Sequence, residues 1–211
     1  MTTADDLDAL ASLADRVRRE AYRVIAAGAA PLGRDEVAEA LGIGRTLAAF
    51  HLDKLVAAGL LETSYARRSG KTGPGAGRPA KLYRVAATER SVSVPPRAYR
   101  AAAEMLAEAI EQAGAENVLH RVARRRGREA SAPVEVTQLL TEHGYAPVAS
   151  ADDRIELRNC PFDRLAEQFP PVICGMNLAL ITGLLGDGEW AARMDAAPGR
   201  CCVTISKKQS H

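Results

Sequence analysis

Residues 33–84 read GRDEVAEALGIGRTLAAFHLDKLVAAGLLETSYARRSGKTGPGAGRPAKLYR, and the order of patterns in this stretch decides the fold. Two short helical patterns meet at Gly42-Ile43-Gly44. In the first, 34–41, Val37, Ala38 and Leu41 recur at inward spacing. In the second, 45–58, a projection at 100° per residue puts Leu47, Ala48, Leu52 and Leu55 on one face with His51 beside them. An apolar-ended strand follows, with Leu60, Leu61, Thr63 and Tyr65. After it comes a glycine-rich basic loop, Arg67–Lys81, and then a second strand over Lys81-Leu82-Tyr83-Arg84-Val85.

Helix, turn, helix, strand, basic loop, strand is the order of a winged helix-turn-helix, and it predicts binding to double-stranded DNA. The second helix would enter the major groove with its outer face. That face offers Arg45, Thr46, Ala49, Phe50 and Asp53, with Lys54 flanking. Arg45 suits guanine edges or a phosphate, and Thr46 suits either. Ala49 permits close approach, Phe50 suits thymine methyls or packing, Lys54 suits a phosphate, and His51 suits the core or a phosphate. Gly44 before the helix leaves backbone N–H groups open to an anion. In the loop, Arg67, Arg68, Lys71, Arg78 and Lys81 supply the charge that releases counterions from phosphates. Gly77-Arg78-Pro79 has the make-up of a minor-groove hook.

The charge distribution agrees. The formal net charge is only +2. Residues 1–44 carry five Lys/Arg against eight Asp/Glu, residues 45–90 nine against three, and residues 91–211 fourteen against fifteen. The excess of positive charge is therefore confined to the second half of the proposed DNA-binding unit, as a nucleic-acid partner requires. No signal peptide is visible behind the acidic N-terminus, and the longest apolar stretch, 172–186, is too short to span a bilayer. A cytoplasmic protein without membrane contact is expected.

Outward from this stretch, residues 5–28 read as one amphipathic helix. Ser91 to Val94 reads as a short extended segment and Pro95-Pro96 as a hinge. Residues 97–113 read as an alanine-rich helix with Tyr99, Ala102, Leu106 and Ile110 on one stripe and Met105 and Ala109 beside it. Such a helix next to a DNA-binding unit predicts a homodimer, because two-fold operators need two-fold proteins. Helices follow over about 115–129 and 133–142. The pattern then changes to strands at 145–150 and 154–159, a helix from Cys160 to Phe169 ended by Pro170-Pro171, a longer helix over 172–185, and strands at 190–194 and 201–206. The expected architecture is mainly α with α+β: a winged helix-turn-helix over 1–90, a hinge and dimerisation helices over 91–143, and a small α+β sensor domain over 144–211.

All four cysteines lie in that last domain: Cys160, Cys174, Cys201 and Cys202. In a reducing cytosol thiols or metal ligands are expected rather than disulfides. Cysteines from three junctions could converge on an iron–sulfur cluster, zinc or copper(I), or could be buried structural thiols with no cofactor. If the last strand begins at Cys201, its two adjacent cysteines point to opposite faces. That leaves three cysteines and a fourth donor: a small thiol, water, His120, His143 or Asn159. No catalytic Ser/His/Asp or Cys/His spacing is recognisable, so an enzyme is not expected. A regulator with a small-molecule pocket between the 172–185 helix and the strands is the alternative.

Residues 31–85, through LGIGRTLAAFHLDKLVAAGLLE, the basic wing and KLYR, resemble the winged-helix domain of ArsR-type regulators. The whole chain is similar to a longer subfamily with a C-terminal sensor domain, through RSGKTGPGAGRPAKLYR, NCPFDRLAEQFPPVICGMNLAL and CCVTI. Iron–sulfur-assembly repressors of the SufR type share this layout. The resemblance implies a repressor whose cluster controls DNA release, with Cys160 as first ligand and Cys174 as second. The third would be Cys201 by strand register or Cys202 by its spacing from Cys174.

Overall fold

The computed structural model describes residues 4–28, 30–66, 79–150, 153–197 and 199–208. They form a mixed α+β chain with two small antiparallel sheets. It divides into two compact units, 1–97 and 98–211. The helices after the Pro95-Pro96 bend thus belong to the same unit as the second sheet.

The first unit opens with α1 (Ala4–Ser12) and α2 (Arg16–Ala27), where the sequence pattern suggested one continuous helix. The break has a local cause. Asp15 adopts an extended backbone and its carboxylate accepts the Arg18 N–H at 2.9 Å, so it caps a new helix. Strand β1 (Leu32–Gly33) leads into α3 (Arg34–Leu41), whose first turn is closed by the Glu36 carboxylate accepting the Gly33 N–H at 2.7 Å. Gly42 ends α3 in the left-handed conformation, φ 63°, ψ 33°. This turn, with the Ile43 N–H returning to the Ala38 carbonyl, re-aims the chain into α4 (Arg45–Ala57).

Strands β2 (Leu61–Ala66) and β3 (Ala80–Val85) pair antiparallel from Leu61↔Val85 to Ala66↔Ala80, and β1 adds to the far side of β3. One core joins the helices to this sheet, built on Ile25, Val37, Leu52, Leu55, Leu61 and Tyr83. Arg90 ties the end of the unit to its start by an ion pair with Asp6 at 3.1 Å. Residues 91–94, expected to be a short extended segment, lie outside helix and sheet.

The second unit begins with α5 (Tyr99–Gln112), α6 (Glu116–Ala130) and α7 (Val136–Glu142). Strands β4 (Pro147–Ser150), β5 (Arg154–Leu157), β6 (Trp190–Met194) and β7 (Val203–Lys207) form an antiparallel sheet in the order β4-β5-β7-β6. Between β5 and β6 run α8 (Asp163–Gln168) and α9 (Pro170–Leu185). As expected, α8 ends ahead of Pro170-Pro171; the longer helix takes these prolines as its first two residues instead of starting at Val172. Proline is tolerated there because its missing N–H would have no helical partner, and its fixed φ suits the helix.

Helices α6 and α9 pack along their length, backbone against backbone. A Cβ on Gly127 would fall 2.2 Å from the Leu180 carbonyl oxygen, and one on Gly183 would fall 2.2 Å from that of Arg124. Only glycine permits this approach. On its other side α9 covers the sheet through Ile181, with Leu140, Leu157, Val203 and Ile205 in the same core.

Candidate functional site

In the first unit the side chains predicted to meet DNA divide into three groups. Arg45, Thr46 and Phe50 are exposed on α4, Phe50 to 55%, with Ala49 half-buried beside them. Lys54 is exposed too, with its Nζ 5.6 Å from the centre of the Phe50 ring. Arg45 is held by Asp35 of α3 at 2.7 Å, a solvent-facing pair that a phosphate or base edge can displace. Gly44 precedes them with no side-chain cap and open space around it.

His51 forms the second group. It is buried, as its place beside the inward face allows, so the phosphate role does not hold, and its Nδ1 lies 3.7 Å from the Asp15 carboxylate. Leu47, expected inside, is 45% exposed and widens the apolar part of the outer face. The α4 stripe is therefore rotated toward Ala48, His51, Leu52 and Leu55. Packing against α2 decides this, and composition alone does not separate Leu47 from His51.

The third group is the loop. Arg67, Arg68, Lys71 and Arg78 lie outside the described residues. Lys81, at the foot of β3, donates to Asp53 of α4 at 2.7 Å, and the Tyr83 hydroxyl donates to the same carboxylate at 3.1 Å. The Lys81 ammonium beside it holds the Asp53 carboxyl below its usual range, and Asp53 in turn holds the Lys81 ammonium above its own. These contacts latch the hairpin onto α4. The helical projection places Asp53 on the outer face, where it is exposed, but its pairing with Lys81 and Tyr83, about thirty residues further on, is not legible in the sequence.

In the second unit the four cysteines converge. None is in a disulfide. Cys160 follows β5, Cys174 sits in the first turns of α9, and Cys201 and Cys202 precede β7. The expectation that the adjacent pair face opposite ways fails because β7 begins at Val203, so strand alternation does not reach them. Cys201 is anchored by its N–H to the Leu157 carbonyl at 2.8 Å, and the Cys202 carbonyl accepts the Asp195 N–H at 2.8 Å. The thiols make a row in which Cys160 meets Cys201, Cys201 meets Cys202, and Cys202 meets Cys174.

Asn177 lies against this row, with Nδ2 3.2 Å from the Cys201 sulfur and 4.0 Å from that of Cys160. Hydrogen bonds from Cys160 and Cys202, then from the Val203 N–H and Asn177, lower the Cys201 thiol pKa against the opposing effect of burial. Its neighbours Cys160 and Cys202 are correspondingly pushed up, since one sulfur in the row holds the charge first. Burial, and the sulfurs of Cys160, Cys201 and Cys202, push the Tyr145 phenol up.

The three protein side chains considered as a fourth donor differ. Asn159 is exposed and donates to the Gly144 carbonyl at 2.6 Å. The His143 Nδ1 is 2.8 Å from the Leu139 carbonyl. His120 keeps a buried Nε2 without a hydrogen-bond partner, against Gly175 and beside the Cys174 turn. Among the described residues no three His, Cys, Asp or Glu side chains already stand in the arrangement of a metal centre. The donor chemistry fits a soft cation or an iron–sulfur cluster: four thiols in one row, N–H donors aimed at sulfur, and a free imidazole nitrogen nearby.

Leu157, Ile181, Val203 and Ile205, where α9 meets the sheet, are fully buried. A cavity of about 300 Å³ opens beside α6 and α9, lined by polar groups that include Arg124, Arg128, Ser131 and Asp187.

No family model, curated protein or solved structure gives a significant match to the chain. Among the described residues no helix is long and apolar enough to cross a membrane.

Proposed function

We propose that the chain is a homodimeric winged-helix transcriptional regulator, a repressor, whose C-terminal unit reads a metal, an iron–sulfur cluster or the redox state of its thiols. The observation that carries DNA binding is the α3–Gly42–α4 turn followed by the β2–β3 hairpin, with Arg45, Thr46 and Phe50 left exposed on α4. In this reading α4 meets base edges, while Arg67, Arg68, Lys71, Arg78 and Lys81 meet phosphates. Salt-dependent binding tests it. The full chain should bind duplex DNA in fluorescence anisotropy, with affinity falling steeply as salt rises. Binding that ignores salt, or no binding at low ionic strength, would overturn it.

Support for the dimer comes from α5. Tyr99, Met105 and Leu106 are 76%, 65% and 64% exposed, and Tyr99, Ala102, Leu106 and Ala109 follow the three–four spacing of a helix seam. Ile110, expected on that stripe, instead packs inward with Ala107, Val172 and Ile173. The exposed stripe thus omits Ile110 and keeps Met105.

Support for the sensor comes from the thiol row. A bound centre would be held by Cys160, Cys174, Cys201 and Cys202, and would supply a redox-sensitive cross-link among β5, α9 and the approach to β7. A second reading rests on the direct thiol contacts: a peroxide removes two electrons and two protons from neighbouring cysteines, such as Cys160 and Cys201, joining the sulfurs as a disulfide while the peroxide is reduced to water or alcohol. Iron and sulfide analysis of anaerobically isolated protein separates the two.

A further inference from the structure

We propose that Asn177 is the positioning residue of the thiol site, and that it makes Cys201 the innermost ligand of a soft metal ion or cluster bound there. The inference rests on the sensor reading above. Asn177 sits in α9 among Met176, Leu178, Ala179 and Leu180, in the most apolar helix of the chain. Its side chain is fully buried. An amide in such a place is destabilising unless both of its ends are satisfied.

Both ends are used, by partners from different parts of the unit. The Tyr145 hydroxyl, itself buried, donates to the Asn177 Oδ1 at 2.6 Å. That leaves Nδ2 directed to sulfur, 3.2 Å from Cys201 and 4.0 Å from Cys160. A metal-bound thiolate has no proton to give, so a loaded site selects this orientation of the amide: N–H toward sulfur, carbonyl toward the phenol. Donors of this kind orient ligands and reduce the electron density that sulfur pushes onto the metal. Cys201 is also the most buried of the four cysteines and the one whose sulfur meets two others. A purely structural residue at position 177 would need no amide, because leucine fills a similar volume.

The test uses the full chain, reduced and anaerobic, titrated with cobalt(II) as a spectroscopic probe. The wild-type protein should develop a sulfur-to-cobalt charge-transfer band. Asn177→Leu should weaken cobalt binding by about 10–100-fold, the usual range for an outer-shell partner. The band should also move to longer wavelength, since sulfur without its N–H donor gives up electrons more easily. Tyr145→Phe frees the amide to rotate and should move the band in the same direction by less. A role confined to packing would lower the melting temperature and leave the band where it was.

A wild-type band with unchanged position and affinity in Asn177→Leu overturns the role of Asn177 and leaves the sensor reading standing. If Asn177→Leu does not fold, an unshifted band in Tyr145→Phe does the same. A wild-type chain that takes up neither cobalt nor zinc, nor a cluster on reconstitution with iron and sulfide, overturns both.

Discussion

The two units put their chemistry in opposite places. In the first, the residues proposed to act are exposed: Arg45, Thr46, Phe50 and Lys54 stand on the outside of α4, and the latch Asp53–Lys81 is solvent-facing. In the second, Cys201, Asn177 and Tyr145 lie inside, and the other thiols are half-buried around them. The ligands proposed for the two units would account for the difference. A polyanion the size of a duplex is met by solvated charge at the surface, free or in exposed ion pairs that a phosphate can displace. A soft ion or a redox event needs a few groups brought together and shielded from water. A surface of the first kind tolerates loose geometry; an interior of the second kind does not.

Substitutions in the two units should break this contrast in order of size. Leu52→Ala removes a fully buried side chain from the core beneath α4. It should destabilise the first unit by about 2–5 kcal/mol in a denaturant melt. A loss below about 1 kcal/mol would mean that α4 is held by its surface contacts instead. Next, Gly183→Ala places a methyl against the Arg124 carbonyl and must separate α6 from α9. A loss of about 1–3 kcal/mol is expected. It should reach the thiol row through Cys174 of α9, read as faster alkylation of the cysteines, and an unchanged rate would uncouple the helix seam from the site.

For DNA, Arg45→Ala should relax sequence choice by about 1–3 kcal/mol. Arg78→Ala should weaken binding to all sequences alike and lower the salt slope by about 1. Equal losses on specific and random duplexes for Arg45→Ala would erase the division of labour between helix and loop.

The smallest effect concerns the latch. Asp53 has a depressed pKa, so its stabilising contribution is present above the ordinary carboxylate value and is lost as pH falls through the lower folded value. Lys81 has a raised pKa, so its contribution is present below the ordinary ammonium value and is lost as pH rises through the higher folded one. Asp53→Asn should therefore lower stability at neutral pH by less than about 1 kcal/mol, as for other exposed pairs. The gap to wild type should close in acid. A gap that persists in acid would assign the effect to the Tyr83 hydrogen bond alone.

Much of the first unit was legible along the chain. Gly42 marks the turn because a left-handed residue is needed there, and Pro79 and the charged loop set off two strands that pair in register from Leu61↔Val85 onward. The misread positions share a cause. Residues 5–28 keep a helical period across Asp15, and periodicity does not register a cap formed by one side chain. Leu47 has the hydrophobicity of an inward residue and is exposed, while the more polar His51 near it on α4 is buried beside Asp15, so hydrophobicity ranks the two opposite to their burial.

The thiol site was legible as an inventory and not as an arrangement. Four cysteines in one small region, and the scarcity of any other reactive set, are properties of composition and need no coordinates. So is the concentration of positive charge between residues 45 and 90. Which sulfurs meet, that Cys201 and Cys202 join the same row, and that Asn177 stands behind them depend on β7 starting at Val203 and on α9 lying across the sheet. Local patterns report on neighbours three or four residues apart, because that is the reach of a helical turn or a strand pleat. Cys160, Cys174, Asn177 and Cys201 span more than forty residues, and their meeting is set by how the helices and strands between them pack.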